Sequence, residues 1–421
     1  MPAPLHSEDN GLVIRPTTGL VSLSGGESPV LSEIVKRSLV HIQTSKALAI
    51  RHRIGDYELC APDYQLVCVL AEDVRLTAEE ALSRLLVAES GHQSRQTRIE
   101  EGRFKALCID KTLPISLIPS IKDLVVESLH LHLQETPPYL DFSMFPSLTR
   151  LWCNDNKLTK LDLSQVPKLT RLWCDDNKLT ELDLSQVPRL TMISCNYNEL
   201  TKLDLLQVPD LTMLLCYGNE LTDLNLSQAP NLTVIHCADN ELTELNPSQA
   251  PNLTRLVCER NKLSELDLSQ VQNLIWLYCA ANQLTGLDLS HVPKLVELHC
   301  SANPLTELDL SQVPNLTGLS CNCLTELDLS GVPNLTTLDC STLLDCSGLP
   351  KLDLSQVPNL TSLSFNPSQL KQMDFSKVLN ITHLYCYSSQ PVELDIRKLS
   401  HLVTFKYNSR VHLIQRPNQN F

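Results

Sequence analysis

The sequence predicts a parallel-β solenoid preceded by a small all-α domain, and three observations carry that reading. A unit of 21 residues recurs from Leu148, Leu169, Leu190, Leu211, Leu232, Leu253, Leu274, Leu295 and Leu316, then less regularly from Leu335, Leu360, Ile381 and Leu402, giving about thirteen rungs. Cysteine recurs at the same interval, at Cys153, Cys174, Cys195, Cys216, Cys237, Cys258, Cys279, Cys300 and Cys321. Aromatics make up 5% of the chain, so Leu carries the core. A fixed period of this length marks stacked supersecondary units, each too thin to bury its own apolar face alone.

One unit reads LTRLWCDDNKLTELDLSQVPR, Leu169 to Arg189. Leu172 and Cys174 alternate with Arg171, Trp173 and Asp175, the pattern of a strand with one buried face. Leu and Cys therefore point inward and the intervening residues point to solvent. A thiol used once per rung is a packing residue, so the sixteen cysteines do not form a disulfide scaffold. Leu182-Asp183-Leu184 reads as a second short extended segment on the opposite wall. Too little chain then remains for an α-helix, and Ser185-Gln186-Val187-Pro188 reads as a tight turn or single 3₁₀ turn with Ser as side-chain acceptor. Asn156, Asn177, Asn198, Asn219, Asn240, Asn261, Asn282 and Asn303 form a further column where the chain leaves the strand. An amide supplies both donors and an acceptor to backbone groups turned inward there. Losing one is expected to cost about 1–3 kcal/mol.

These residues fit L-x-x-L-x-L-x-x-N/C-x-L, and the version here, LxxLxCxxNxLxxLDLSxxPx, resembles the leucine-rich repeats of the short bacterial 21-residue subclass with a cysteine ladder, as in listerial internalins. The resemblance covers about 148–410. It implies a right-handed curved horseshoe or superhelix with little α-helix in the repeats, whose concave face recognises protein. The chain departs from the internalins in showing neither a Sec-type signal peptide nor an LPxTG motif.

The ends and breaks are also legible. Residues 1–27 are rich in Ser, Gly and Pro and read as disordered. In 28–91, Ile34, Val35, Leu39 and Ile42 share a helical face, Pro62 opens a second helix, and Thr77-Ala78-Glu79-Glu80 caps a third. Residues 92–119 read as a connector, 120–147 as an N-terminal cap or half-repeat, 148–411 as the repeats and 412–421 as a polar tail. Tyr407 takes the ladder cysteine's place in a last rung expected to cap itself. The register breaks once, with a short rung from Leu316 and a long one from Leu335. Cys321, Cys323, Cys340 and Cys346 crowd that break without zinc-ribbon spacing, so a looped-out rung is expected and no metal.

Composition narrows function. A net charge of −14 argues against nucleic acid and an anionic membrane as partners. No apolar run is long enough for a membrane span, so a cytoplasmic location is expected, with secretion by a route that ignores Sec signals as the alternative. No cofactor is expected. All three tryptophans fall on outward strand positions: Trp152 and Trp173 on adjacent rungs beside Arg150 and Arg171, and Trp276 beside Tyr278 further on. Trp, Tyr and Arg are the residues enriched at binding hot spots. With Tyr217, these are the candidate binding residues of a non-catalytic protein-recognition module. The alternatives are a secreted bacterial effector binding a host protein, and a thiol enzyme drawing on Cys60, Cys68 or Cys108 with His41, His52 or His92. The Asn-Leu-Thr triplets at Asn231, Asn252, Asn315, Asn334 and Asn359 are the repeat consensus and not glycosylation sites.

Overall fold

The structure is a computed structural model that describes residues 51–54, 57–60, 98–100, 103–109, 126–131, 140, 142–143, 145–322, 324, 327–341, 352–366, 375–388 and 390–415. Its strands are β1 (Arg51–Ile54), β2 (Tyr57–Cys60), β3 (Arg98–Glu100), β4 (Arg103–Ile109), β5 (Ser128–Leu131), β6 (Arg150–Trp152), β7 (Arg171–Trp173), β8 (Met192–Ser194), β9 (Met213–Leu215) and β10 (Val234–His236). They continue as β11 (Arg255–Val257), β12 (Trp276–Tyr278), β13 (Glu297–His299), β14 (Gly318–Ser320), β15 (Thr337–Asp339), β16 (Ser362–Phe365), β17 (His383–Cys386), β18 (Val392–Asp395), β19 (Thr404–Tyr407) and β20 (Val411–Ile414). From β3 to β17 and then β19 they form one 16-stranded sheet in chain order. In this sheet every pairing from β4 onward is parallel, with the core leucine of each strand (Ile193 in β8, Ile235 in β10, Phe405 in β19) opposite that of the next. The chain is a solenoid.

The inward alternation holds. Leu172 and Cys174 are fully buried, as are Leu169, Leu179 and Val187 of the same rung, while Arg171 is exposed and Trp173 half-buried. Each fully buried Leu contributes roughly 1.5–3 kcal/mol, but a rung gains this only when neighbours close both sides of its thin layer. Every described ladder thiol is free and buried, including Cys340 and Cys386. Phe365 stands in the ladder between those two, fully buried against Phe375 (ring centroids 6.2 Å apart).

The asparagine column does what its chemistry predicts. Asn177 Nδ2 donates to the carbonyls of Cys153 (2.9 Å), Cys174 (3.0 Å) and Asp175 (3.1 Å), and its Oδ1 accepts from the N–H of Asn156 (3.1 Å) and Leu158 (2.9 Å). Each amide thus ties its own rung to the one before. This network also holds a strained residue: Asp155, Asp176, Tyr197, Asp239, Arg260, Ala281 and Ala302, each just before the column, have φ between 49° and 57°. A non-glycine residue there costs about 1–3 kcal/mol, which persists only because the surroundings over-determine it.

Two outer rows complete the stitching. Thr170, Thr191, Thr212, Thr233 and Thr254 donate Oγ1 to the carbonyl of the equivalent threonine one rung earlier, at 2.9–3.1 Å. Asn231, Asn252, Asn315, Asn334 and Asn359 donate Nδ2 to the proline carbonyl of the preceding rung, at 3.0–3.4 Å. The sequon-like asparagines are therefore structural.

Several expectations change. At the rung corner the acceptor is the aspartate, not the serine: Asp183 Oδ1 takes the Ser185 N–H at 2.8 Å, and Asp204, Asp267, Asp288 and Asp309 repeat the arrangement. Carboxylate reach explains it, since an Asx turn places its oxygen two residues on. The corner closes as a 3₁₀ turn at Leu226–Gln228, Pro247–Gln249, Leu354–Gln356 and Phe375–Lys377. The second wall is a regular strand only at the end, where β18 and β20 pair in parallel; Leu182-Asp183-Leu184 keeps the in-out-in burial without forming a strand.

The array also reaches beyond the expected limits. Segment 92–119, read as a connector, contains β3 and β4, and β4 pairs in parallel with β5. Beyond 411, β20 continues to Ile414. In the short rung, Asn322 Oδ1 accepts the Ala302 N–H at 2.8 Å, a role backbone carbonyls fill in regular rungs. Tyr407 sits opposite Cys386 in register but is 48% exposed, and Val403 is 71% exposed, so that rung leaves apolar surface uncovered. The three expected helices of 28–91 lie outside the described residues; between the first two, β1 and β2 pair antiparallel. Cys323 and Cys346 also lie outside the described residues, among which no cluster of three or more metal-ligating side chains occurs.

Candidate functional site

Strand alternation sets the site. Within each strand from β5 to β13 the middle leucine or isoleucine enters the core and the flanking two residues lie on the opposite face of the sheet, most of them half-buried or exposed but Ser128, His130, Ser194 and Val257 buried, so parallel register builds two continuous outer columns. One runs Ser128, Arg150, Arg171, Met192, Met213, Val234, Arg255, Trp276, Glu297. The other runs His130, Trp152, Trp173, Ser194, Leu215, His236, Val257, Tyr278, His299. Tyr217 lies two residues beyond Leu215, at the strand's exit. All seven candidate residues are therefore on one side of the sheet, but they gather into separate clusters.

The first cluster is a ring stack. Trp152 and Trp173 lie with centroids 4.2 Å apart and planes 6° from parallel. Sequence reasoning missed its third member: His130 stacks on Trp152 at 3.9 Å and 11°. The signal was present, since His130 lies in the half-repeat at the place Trp152 takes one rung later. Arg150 and Arg171 stand side by side next to the indoles, exposed, and among the described residues neither guanidinium meets a carboxylate. At the opposite ends of the strands, Asp175 is engaged by the Ser194 hydroxyl (2.6 Å) and the Asn196 N–H (2.8 Å). Burial raises its carboxyl above the ordinary range despite those bonds.

The second cluster pairs its own charges. The Arg255 guanidinium lies 5.8 Å from the Trp276 ring centroid and 5.7 Å from that of Tyr278, a cation–π arrangement. His299 stacks on Tyr278 at 4.2 Å, and its Nε2 is 3.8 Å from Glu297 Oε2. Glu297 folds over Gly318, where a Cβ would overlap its carboxylate. Burial raises the neighbouring Glu259 carboxyl.

Between the clusters, Tyr217 meets Tyr197 edge-on at 4.8 Å and His236 at 5.1 Å. Hydrogen bonds to Tyr197 and Asp239 push the Tyr217 phenol up to about 12. Burial, and then the Arg255 charge, hold His236 below the usual imidazole range. Met192, Met213 and Val234 give an apolar floor at this point.

Burial makes the described ladder thiols poor nucleophiles. Burial pushes Cys237 and Cys300 up to about 12 and raises Cys174, Cys216, Cys258 and Cys279 well above the ordinary value. The nucleophilic thiolate is then negligible at neutral pH. The side chains of Cys60, Cys68, Cys108, His41, His52 and His92 lie outside those described.

Comparison with known proteins agrees with the rung geometry. A family model described as leucine-rich repeats (2 copies) matches residues 146–186. No curated protein sequence matches the chain. The functional domain of InlJ from Listeria monocytogenes, described as including a cysteine ladder, is 29% identical with a TM-score of 0.64, over 84% of this chain and 75% of that one. An internalin, InlF, from Listeria monocytogenes shares the fold at 18% identity and TM-score 0.59, over 83% of this chain and 96% of that one. So does the leucine-rich-repeat ectodomain of a plant membrane receptor kinase from Arabidopsis thaliana, at 21% identity and TM-score 0.55, over 76% of this chain and 43% of that one. No helix among the described residues is long and apolar enough to cross a membrane. The leucine-rich-repeat fold is typical of protein–protein interaction modules. With its 21-residue rungs and buried thiol row, the chain carries a leucine-rich-repeat solenoid with a cysteine ladder, similar to that of listerial internalin J.

Proposed function

We propose that this chain is a non-catalytic recognition module that binds a protein partner on the solvent-facing side of its long sheet, the concave face of a curved solenoid. One observation carries the reading: every tryptophan of the chain lies on that face, at outward strand positions, instead of joining the leucine and thiol columns inside. Burying a half-exposed indole against a partner gains area at little entropic cost, since the ring has few rotamers. Arg150, Trp152, Arg171, Trp173, Tyr217, Trp276 and Tyr278 are the anchors. The same architecture is seen in the plant receptor kinase ectodomain in complex with Casparian strip integrity factor 2.

The test is position-specific photocrosslinking. A photoreactive side chain placed at Met192 samples the proposed surface; one at Leu206, which is 50% exposed on the rung corner, samples another. Partner adducts are expected from Met192 alone and are expected to disappear with Trp152→Ala/Trp173→Ala. Adducts from Leu206 that survive the double substitution overturn the reading.

A further inference from the structure

An array of near-identical rungs supplies its own baseline, and its first rungs depart from it in one direction. At the residue after the corner proline or its equivalent, later rungs place Asn231, Asn252, Asn315, Asn334 and Asn359, each donating to a carbonyl of the preceding rung. The corresponding positions of the early rungs hold Lys168 and Arg189, both exposed. Replacing the amide forgoes a hydrogen bond that those five rungs keep; Asp210 in the next rung and Lys294 further on replace it too. A cation at this position can find a partner, since Lys294 donates Nζ to Asn273 Oδ1 at 2.7 Å. Lys168 and Arg189 have none among the described residues. They stand on the same ascending side as Arg150 and Arg171, three residues before a strand position of that column. Rule-breaking of this sort without a compensating internal contact marks functional sites.

We propose that the ridge of Arg150, Lys168, Arg171 and Arg189, beside the Trp152–Trp173 stack, receives an acidic segment of a protein partner. This deepens the recognition reading above and rests on it. Charge complementarity argues for it: residues 145–189 hold seven basic and six acidic side chains, whereas 190–340 hold eighteen acidic and five basic. Among the described residues no acid forms an ion pair with the ridge, Asp210 at the equivalent position one rung after Arg189 included. Asp175 is engaged by Ser194 and Asn196, and Asp155 and Asp176 stand five residues beyond Arg150 and Arg171, in the turns past the strands' exits. An acidic segment reaching the sheet is steered away from the central rungs and toward this end. From there the Met192–Met213–Val234 floor leads toward Trp276, ~24 Å from Trp173 over five strand spacings at about 4.8 Å each. A chain laid across the sheet covers that distance in roughly seven extended residues.

The probe is a display library of random peptides of about twelve residues, selected on the full chain. Peptides rich in Asp and Glu with interspersed aromatics are expected. Their affinity should fall at least tenfold with Arg150→Glu/Arg171→Glu and weaken with added salt, and selection on that charge-reversed variant should yield basic peptides. Neutral or basic peptides from the unaltered chain, an empty selection, or acidic peptides indifferent to charge reversal overturn the proposal. So does tighter binding of a single-stranded oligonucleotide than of any selected peptide. Sensitivity to Trp152→Ala/Trp173→Ala without sensitivity to charge reversal sinks only the acidic-segment proposal. Indifference to both sinks the recognition surface as well.

Discussion

At Trp276 the sheet supplies its own partners: Arg255 lies over two rings, His299 stacks on one of them, and Glu297 reaches back toward that histidine. At Trp173, five strands earlier, the indoles stack on one another and on His130, and the arginines beside them meet no carboxylate among the described residues. Both places use the same strand positions, the same buried leucine and the same thiol. The scaffold is therefore indifferent to what its outer columns carry, and the difference lies in whether the charge is answered among the described residues. The central cluster is preorganised, and the early one carries cations that no carboxylate answers among the described residues.

The double substitution Trp152→Ala/Trp173→Ala is the sharpest way to break that contrast. It should cost at least ~2 kcal/mol of partner binding, the hot-spot range, with little change in melting temperature; calorimetric titration and thermal melting read the two. A large loss of stability with unchanged affinity would make the early stack a structural brace. Next in size, Asn198→Ala should destabilise by about 1–3 kcal/mol, because its Nδ2 serves Cys174, Cys195 and Asn196 and its Oδ1 serves Leu179. Chemical denaturation measures it, and Asn282→Ala should match, since that scaffold amide does not distinguish the clusters.

Smaller effects separate the clusters directly. Arg255→Ala should lower stability by roughly 0.5–1 kcal/mol through its ring contacts, whereas Arg171→Ala should leave stability unchanged and weaken binding. Equal behaviour of the two in denaturation would erase the distinction. The smallest effect is a pH dependence of opposite signs. The Ser185, Ser269, Ser290 and Ser311 N–H groups and hydroxyls hold Asp183, Asp267, Asp288 and Asp309 below the usual carboxylate range. Their contribution is complete above the unfolded value and is lost as pH falls through the lower folded ones. Asp175, raised by burial, contributes below the unfolded value and loses that as pH rises through its folded one. Melting temperature against pH for Asp288→Asn and Asp175→Asn should therefore diverge from the parent on opposite sides of the ordinary carboxylate value.

Periodicity made the core legible. Leu172 and Cys174 could be placed inside because alternation and the 21-residue spacing point to one answer, and Asn177 could be given its role because only an amide serves donors and acceptors together. The corner was misread at Ser185 because serine and aspartate both make such turns, and the choice depends on which oxygen reaches the free N–H. The left-handed residues were invisible: Tyr197, Arg260 and Ala302 carry none of the glycine signal that usually marks positive φ, and the asparagine network around them holds the conformation. Of the outward face, the positions could be read but not the company they keep. The stacking of His130, the Arg255 contacts and the draping of Glu297 over Gly318 depend on side-chain directions that no spacing encodes.

Because the buried cysteine and column-asparagine rows repeat rung after rung through the middle of the array, whole rungs are interchangeable links. The separation between the two aromatic clusters is then an integer: inserting or excising one link between Met192 and Val257 would move them by ~4.8 Å and leave each internally intact. Such a chain can be retuned to a longer or shorter visitor in fixed increments, like beads on an abacus wire, without redesigning either end.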